Sequence, residues 1–443
     1  MRVLFTLIPA TGSLHPLVPL ARALVIAGHE VRFACAASFA PTVGMHGFDT
    51  HPVGIDFLFS SPDYFPTLVA EAGVEMPDLA QLRGHARHAW VTNNLFVRAA
   101  ARRMLPDVLA LARSWKPDLI VRESSEYSGC VAAEALGIPH ASVAAAADAA
   151  LDLREVTAAA LEPLRAAAGL APDPSATMVY RYLHLSFMPA EFFGPDARFP
   201  ATIRFLRHVD PPRPGDPVPD WWARLPDQPT VLASLGTIFF RTPGLYEAIV
   251  AGLGRERLNL AVAVGHPQHG LAACPATSAD ALAGAPNVHV EPTLPIPELL
   301  GGCALFVTHG GFNSVKEAAR AGTPMLVIPI ASDQHYSADR AEALGIARVV
   351  RPHERTPRRI REQALAVLAN PTHRHRAAAL AAQMAALPDM GQGVTMLEQL
   401  DERRRERAAA RPNPDHHSWV ESRQQDTHEP NEIHAPPTSQ TGA

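Results

Sequence analysis

Cysteine is scarce in this chain. Four occur in 443 residues, at positions 35, 130, 274 and 303, with no Cys-x-x-Cys pair and no ladder of metal-ligand spacing. A disulfide framework or a structural zinc site is therefore excluded as the organising device. No apolar run reaches the roughly 20 residues that a membrane-spanning helix needs. Residues 2–8, RVLFTLI, have only a short apolar core and no cleavage pattern, so they read as a first strand and not as a secretory leader. A cytoplasmic protein with no transmembrane segment is the expectation. Basic charge is thin as well: 39 Lys and Arg stand against 44 Asp and Glu, net -5, and the one basic run is 403–411. No nucleic-acid surface is expected. Two nucleotide signatures are also missing. There is no G-x-x-x-x-G-K-[ST] and no G-x-G-x-x-G after the first strand, which disfavours ATP hydrolysis and dinucleotide-dependent oxidoreduction.

What is present is an ordinary globular composition, 47% apolar and 19% charged, in a chain too long for one core. Residues 3–8 read as a strand, 9–15 as a loop, 16–27 as a helix with Leu17, Leu20, Ala21 and Leu24 on one face, and 31–34 as the next strand. A strand–helix–strand unit this close to the start points to a parallel sheet. Residues 57–97 break the alternation with Tyr64, Phe65, Met76, His85, His88, Trp90 and Phe96, the kind of excursion that builds a substrate pocket. Order returns with a helix at 99–116, a strand at 117–121, a helix at 129–136 and a strand at 137–143. Alanine-rich 144–168 reads as mostly helical, and 203–208 as the last strand of this half. Five prolines in residues 210–219 rule out helix or central strand there. A second series follows, with strands at 230–235, 260–264, 288–290, 304–307 and 325–328.

The expected organisation is an N-terminal domain at 1–208, a proline-rich linker at 209–221 and a second domain at 222–386. A helix at 387–410 would pack back on the first domain, and the histidine- and proline-rich tail 411–443 reads as disordered.

The chemistry concentrates in residues 304–317, ALFVTHGGFNSVKE. A buried strand stops at Thr308 and His309, Gly310 and Gly311 free the backbone, and Asn313 or Ser314 can cap the helix that follows. Unpaired N–H groups at such a helix start favour an anion such as phosphate. His309 can donate to a phosphate oxygen, with Asn313 and Ser314 completing the anion site. Glu317 suits a ribose diol, and Asp333 with Gln334 suits sugar hydroxyls. A second glycine turn, SLGT at 234–237, contributes Gly236 and Thr237.

This ordered set resembles the nucleotide-sugar signature of GT-B glycosyltransferases, the family of plant UDP-glycosyltransferases and bacterial antibiotic or macrolide glycosyltransferases. The resemblance spans about residues 1–405 and also takes in PLVPLA at 16–21, PDLIV at 117–121 and AAEALGIP at 132–139. It implies two Rossmann-like parallel-sheet domains facing a cleft. It places His309, Gly311, Asn313 and Ser314 at the diphosphate, Glu317 at the ribose, and Asp333 and Gln334 at the donor sugar. Pro295-Ile296 replaces the family's Pro-Gln, and Thr293 stands where plant members carry a base-stacking tryptophan. The choice between UDP and dTDP therefore stays open.

The implied reaction is metal-independent inverting transfer of a sugar to a hydroxyl of a hydrophobic small molecule, such as an aromatic polyketide or macrolide, by an enzyme that could act as a homodimer. No cofactor beyond the donor is implied. The family's usual histidine base falls on Ser13, a poor base near neutral pH. His15 lies two residues on, a spacing that turns it away from the Ser13 direction on a helix, and Glu123 stands where a supporting aspartate is common. His15, Glu123 or a group elsewhere, such as Asp148, would take the proton. The alternative is a catalytically impaired auxiliary homologue that binds nucleotide sugar or a partner transferase.

Overall fold

A computed structural model of the chain describes residues 1–54, 69–70, 73–75, 77, 84–147, 154–209, 217–238, 240–265, 282 and 284–410. Tyr64, Phe65, Met76, Asp148, Cys274, most of the expected linker and the tail 411–443 lie outside the described residues, as does the side chain of His85. Met1–Asp401 form one compact unit; the second begins at Glu402, and its described residues continue the last helix.

The first half builds a seven-stranded sheet from β1 (Arg2–Thr6), β2 (Glu30–Cys35), β3 (Asp49–Pro52), β4 (Leu119–Glu123), β5 (His140–Val143), β6 (Leu183–Ser186) and β7 (Ile203–Phe205). Its order is β3-β2-β1-β4-β5-β6-β7, and every pairing is parallel. Val3, Leu4, Phe5, Ile120 and Val121 are fully buried, as expected of strands covered by helices on both faces. The second half repeats the plan with β8 (Thr230–Ser234), β9 (Asn259–Ala263), β10 (Val288–Glu291), β11 (Leu305–Thr308), β12 (Met325–Val327) and β13 (Ala347–Val349), ordered β10-β9-β8-β11-β12-β13. In each sheet the chain first moves outward from the founding strand, β1 or β8. It then crosses to that strand's other side, at β4 or β11. Loops leaving the two strands diverge there and open a crevice at their carboxyl ends.

Three strands escaped the sequence reading. β3 is DTHP on a sheet edge and β13 is only ARV, neither with an apolar run to announce it. β6, LHLS, is wholly buried, and its His184 Nδ1 shares a hydrogen bond of 2.7 Å with Ser142 Oγ. The alanine-rich stretch is helical only over Arg154–Ala167 among its described residues. Pro16 does not open a helix. Residues Thr11–Leu14 form a helical turn of their own, and the helix Val18–Ile26 starts afterwards with Pro19 in its first turn.

Two further features position the site. A helix Gly84–Val91 runs through a wider π-helical stretch, Thr92–Ala101, into the helix Arg102–Trp115. The two sheets also share one apolar cluster. Ala144, Met188, Phe192 and Phe193 pack with Phe312 and Val315 of the second half. The Phe312 ring lies 6.3 Å from that of Phe192 and 6.1 Å from that of Phe193. Alongside it, Arg340 Nε donates to Phe192 O (2.7 Å) and Tyr336 Oη to Phe193 O (3.0 Å). From the last helix, Val394, Leu397 and Leu400 join the cluster of Leu17, Leu20 and Leu206.

Candidate active site

Loops from both crossover points wall a cavity of about 320 Å³. From the first sheet come residues 10–13 and His15 after β1, Ser125 after β4, and Ala145 and Ala146 after β5, with Phe96 from the π-helical stretch. The second sheet supplies Gly236 and Thr237 after β8, Thr293 after β10, His309, Gly311 to Ser314 and Glu317 after β11, and Ser332 to Gln334 after β12. Parallel strands end on the same side, so residues scattered from position 10 to position 334 converge.

His309 is 8% exposed and its imidazole is held between two glycines. A Cβ at Gly236 would come within 2.5 Å of the ring's Cε1, and one at Gly311 within 2.5 Å of Nε2. Gly236 and Gly310 also take positive φ, +78° and +83°; Gly311 does not, so its value is the close approach alone. Burial pushes the His309 pKa down to about 4, which leaves the ring neutral near pH 7. Thr308 Oγ1 lies 3.5 Å from Nδ1.

The expectation that Asn313 or Ser314 caps the following helix is corrected. The helix is Phe312–Ala321 with Gly311 as N-cap, so both residues sit inside its first turn. Asn313 makes two specific contacts: Nδ2 donates to Gly12 O (2.8 Å), and Oδ1 accepts from Lys316 Nζ (3.0 Å). It is thus engaged by the opposite sheet's loop, a partner that no local pattern announces. Ser314 and Glu317 line the cavity, Glu317 only 4% exposed.

Asp333 accepts from Ala147 N (3.2 Å), a second link across the cleft, and burial raises its pKa. Gln334 is 2% exposed, and its Oε1 accepts from Ile330 N (2.7 Å) and Ala331 N (2.9 Å). With the carbonyl oxygen engaged by its own chain, the amide nitrogen is the remaining polar group of a side chain that lines the cavity. Ser332, before Asp333, holds φ +58°, a left-handed conformation that non-glycine residues seldom adopt. Thr293 is exposed on the wall.

For the catalytic base, the arrangement differs from the expectation on two counts. Ser13 and His15 both line the cavity, Ser13 inside the helical turn and His15 at its C-terminal end. The His15 ring stands 6.1 Å from that of His46, edge to face. Glu123 is not part of the wall. It is fully buried, with Oε2 accepting from Ser125 N (2.8 Å), and so it shapes the loop behind the cavity.

The sequence reading also missed what supports that loop. Arg122, fully buried, donates through Nη1 to the carbonyls of Glu123 (3.2 Å), Ser124 (2.8 Å) and Glu126 (2.9 Å). Glu126 receives the Thr6 hydroxyl (2.5 Å) and the Gly129 N–H (3.0 Å) at the next helix start. The dense polar run RESSE at the end of a buried strand was the available signal. Among the described residues, no three His, Cys, Asp or Glu side chains converge to hold a metal ion, and no helix is long and apolar enough to cross a membrane.

Comparison with known proteins matches this geometry. Residues 22–236 fit the family model described as erythromycin biosynthesis protein CIII-like, N-terminal domain, and residues 264–400 fit the corresponding C-terminal domain. The L-demethylnoviosyl transferase of Streptomyces niveus is 30% identical, with 80% of this chain and 86% of that protein covered. Aklavinone 7-beta-L-rhodosaminyltransferase of Streptomyces galilaeus is 28% identical, with 93% and 98% covered. The solved structure of glycosyltransferase VinC in complex with dTDP superimposes with a TM-score of 0.71 at 26% identity, covering 91% of this chain and 100% of that one. The glycosyltransferase SsfS6 of Streptomyces sp. SF2575, at 24% identity and a TM-score of 0.71, shares the fold. Two parallel-sheet domains, a nucleotide-sugar signature at their crossover points and matches along both halves lead to one conclusion: the chain belongs to the erythromycin biosynthesis protein CIII-like family of GT-B natural-product glycosyltransferases.

Proposed function

We propose that this protein transfers a sugar, with inversion at the anomeric carbon, from a dTDP- or UDP-linked donor to a hydroxyl of a small natural product such as an aromatic polyketide or macrolide. The observation that carries the reading is the single cavity in which Gly236, Thr237, Thr293, His309, Gly311, Asn313, Ser314, Glu317, Asp333 and Gln334 meet Ser13 and His15. Relatives named for rhodosamine and demethylnoviose transfer support the natural-product class, and the likeness to a dTDP complex supports a nucleoside diphosphate donor.

In this scheme the diphosphate lies at the start of the helix Phe312–Ala321. There backbone N–H groups and the neutral His309 imidazole donate to it, and they stabilise the charge that grows as the leaving group departs. Glu317 takes the ribose. Asp333 accepts from sugar hydroxyls and the Gln334 amide donates to them. The acceptor enters from the first sheet's side, against Phe96, Ala145 and Ala146. His15, on the same wall, removes its proton, because Ser13 has no basic group and Glu123 is walled off.

The auxiliary-homologue reading draws on Ser13 alone, and a complete donor pocket has no use in a protein that only binds a partner. Calorimetry with UDP and dTDP tests the donor site. Binding of one of them, weakened about tenfold or more by His309→Ala, is the expected outcome. Absence of heat with both nucleotides would overturn the reading.

A further inference from the structure

The turn that carries Ser13 and His15 has a gap in its own hydrogen bonding. Thr11–Leu14 is a single helical turn, and His15 after it keeps helical angles, φ -55° and ψ -40°. Ser13 and Leu14 N–H donate to Ala10 O (3.0 and 3.1 Å), and His15 N–H donates to Thr11 O (3.0 Å). The next carbonyl, Gly12 O, would take the N–H of residue 16 if the helix continued. Residue 16 is proline, which has no N–H and whose ring crowds the carbonyl four residues before it. A carbonyl drawn away from water with no donor costs free energy, so its partner has to be accounted for.

The donor comes from the other half of the molecule. Asn313 Nδ2 lies 2.8 Å from Gly12 O, although 301 residues separate the two in sequence. Lys316 Nζ donates to Asn313 Oδ1 at 3.0 Å, and this fixes which end of the amide faces the turn. Asn313 also stands in the first turn of the helix Phe312–Ala321, whose start lines the donor side of the cavity.

We propose that Asn313 is a positioning residue for the proton acceptor. Through the Gly12 carbonyl that Pro16 leaves without a local donor, it holds the turn of Ser13 and His15 against the donor side of the cavity. Its side chain serves the first half's loop, and the diphosphate is left to His309 and the backbone N–H groups. The inference rests on the nucleotide-sugar reading above, with His15 as base, and adds to it what aligns that base.

The test uses the full chain carrying Asn313→Ala, which keeps the backbone N–H and removes both ends of the amide. Hydrogen exchange read by NMR is expected to quicken about tenfold or more at the Ser13, Leu14 and His15 amides. It is expected to change by less than about twofold at Ala147 N–H, which donates to Asp333 across the same cleft. Calorimetry is expected to leave dTDP or UDP affinity within about threefold of wild type. Adding Pro16→Ala returns a local N–H to Gly12 O and is expected to slow the quickened exchange at least about threefold. A general packing role for Asn313 would not produce that rescue. Asn313→Ser, whose hydroxyl ends one bond short of the amide nitrogen, serves if Asn313→Ala does not fold. Exchange at the turn within about twofold of wild type overturns the proposal, as does equal quickening at Ala147. So does a loss of nucleotide affinity of about tenfold, which would make the side chain a ligand of the diphosphate. Wild-type protein that binds neither nucleotide would instead overturn the donor reading beneath it.

Discussion

His15 and Glu123 both stood as candidate proton acceptors in the sequence, and their surroundings separate them. His15 lines the cavity and Glu123 is fully buried behind it with an oxygen engaged by Ser125 N–H. A general base contributes about 10²–10⁴ in rate. His15→Ala should therefore lower kcat about 100-fold or more with little change in donor KM, whereas Glu123→Gln, which still accepts from Ser125, should keep kcat within about fivefold. Single-turnover transfer assays read both. Full activity of His15→Ala would move the base elsewhere. His309 and Glu317 were legible because strand, glycine turn and helix are local patterns. The Asn313–Gly12 contact was not, since its partners lie 301 residues apart in sequence.

The helix Phe312–Ala321 is framed by Gly311 before it and by Gly322, at φ +67°, after it; the sequence marked the glycine turn at its start but set the cap at Asn313 or Ser314. Its burial does not show. Phe312 is 3% exposed and meets Phe192 and Phe193 of the first half, so the helix whose start lines the cavity is also packed against the other domain. Phe312→Ala should cost about 3–5 kcal/mol of stability, the range for a large buried aromatic. The same substitution should weaken nucleotide binding, because the helix start loses its support. Denaturant unfolding and calorimetry measure the two effects; a loss under about 1 kcal/mol would show that this contact does not hold the domains. β3, β6 and β13 were missed for a related reason: short or polar strands are stabilised by neighbours and not by their own composition.

Across the whole molecule, several buried histidines set the response to acid. Burial lowers the pKa of His309 to about 4 and of His184 to about 3, and lowers that of His140 as well. Between those values and the ordinary 6.5, the unfolded chain binds protons that the folded chain does not, so stability is full above pH 6.5 and is lost as pH falls. Each such histidine steepens the slope by up to about 1.4 kcal/mol per pH unit. Asp333, raised by burial, works in the opposite sense over the carboxylate range and offsets part of it. Tm from scanning calorimetry should drop steadily from pH 7 to pH 4.5. A flat profile would mean that these rings are protonated in the folded state.

By itself the sequence determined the two parallel-sheet halves, the strand–glycine–helix turn and the residues placed along it, because apolar runs, proline and glycine act over a few positions. Only the tertiary structure decided which of these residues share a wall. The crossovers β1/β4 and β8/β11 bring Ser13 and His15 to His309, bury Glu123 away from them and set Lys316 behind Asn313. Those outcomes depend on strand order and on side chains meeting from distant parts of the chain, which no local pattern of residues encodes.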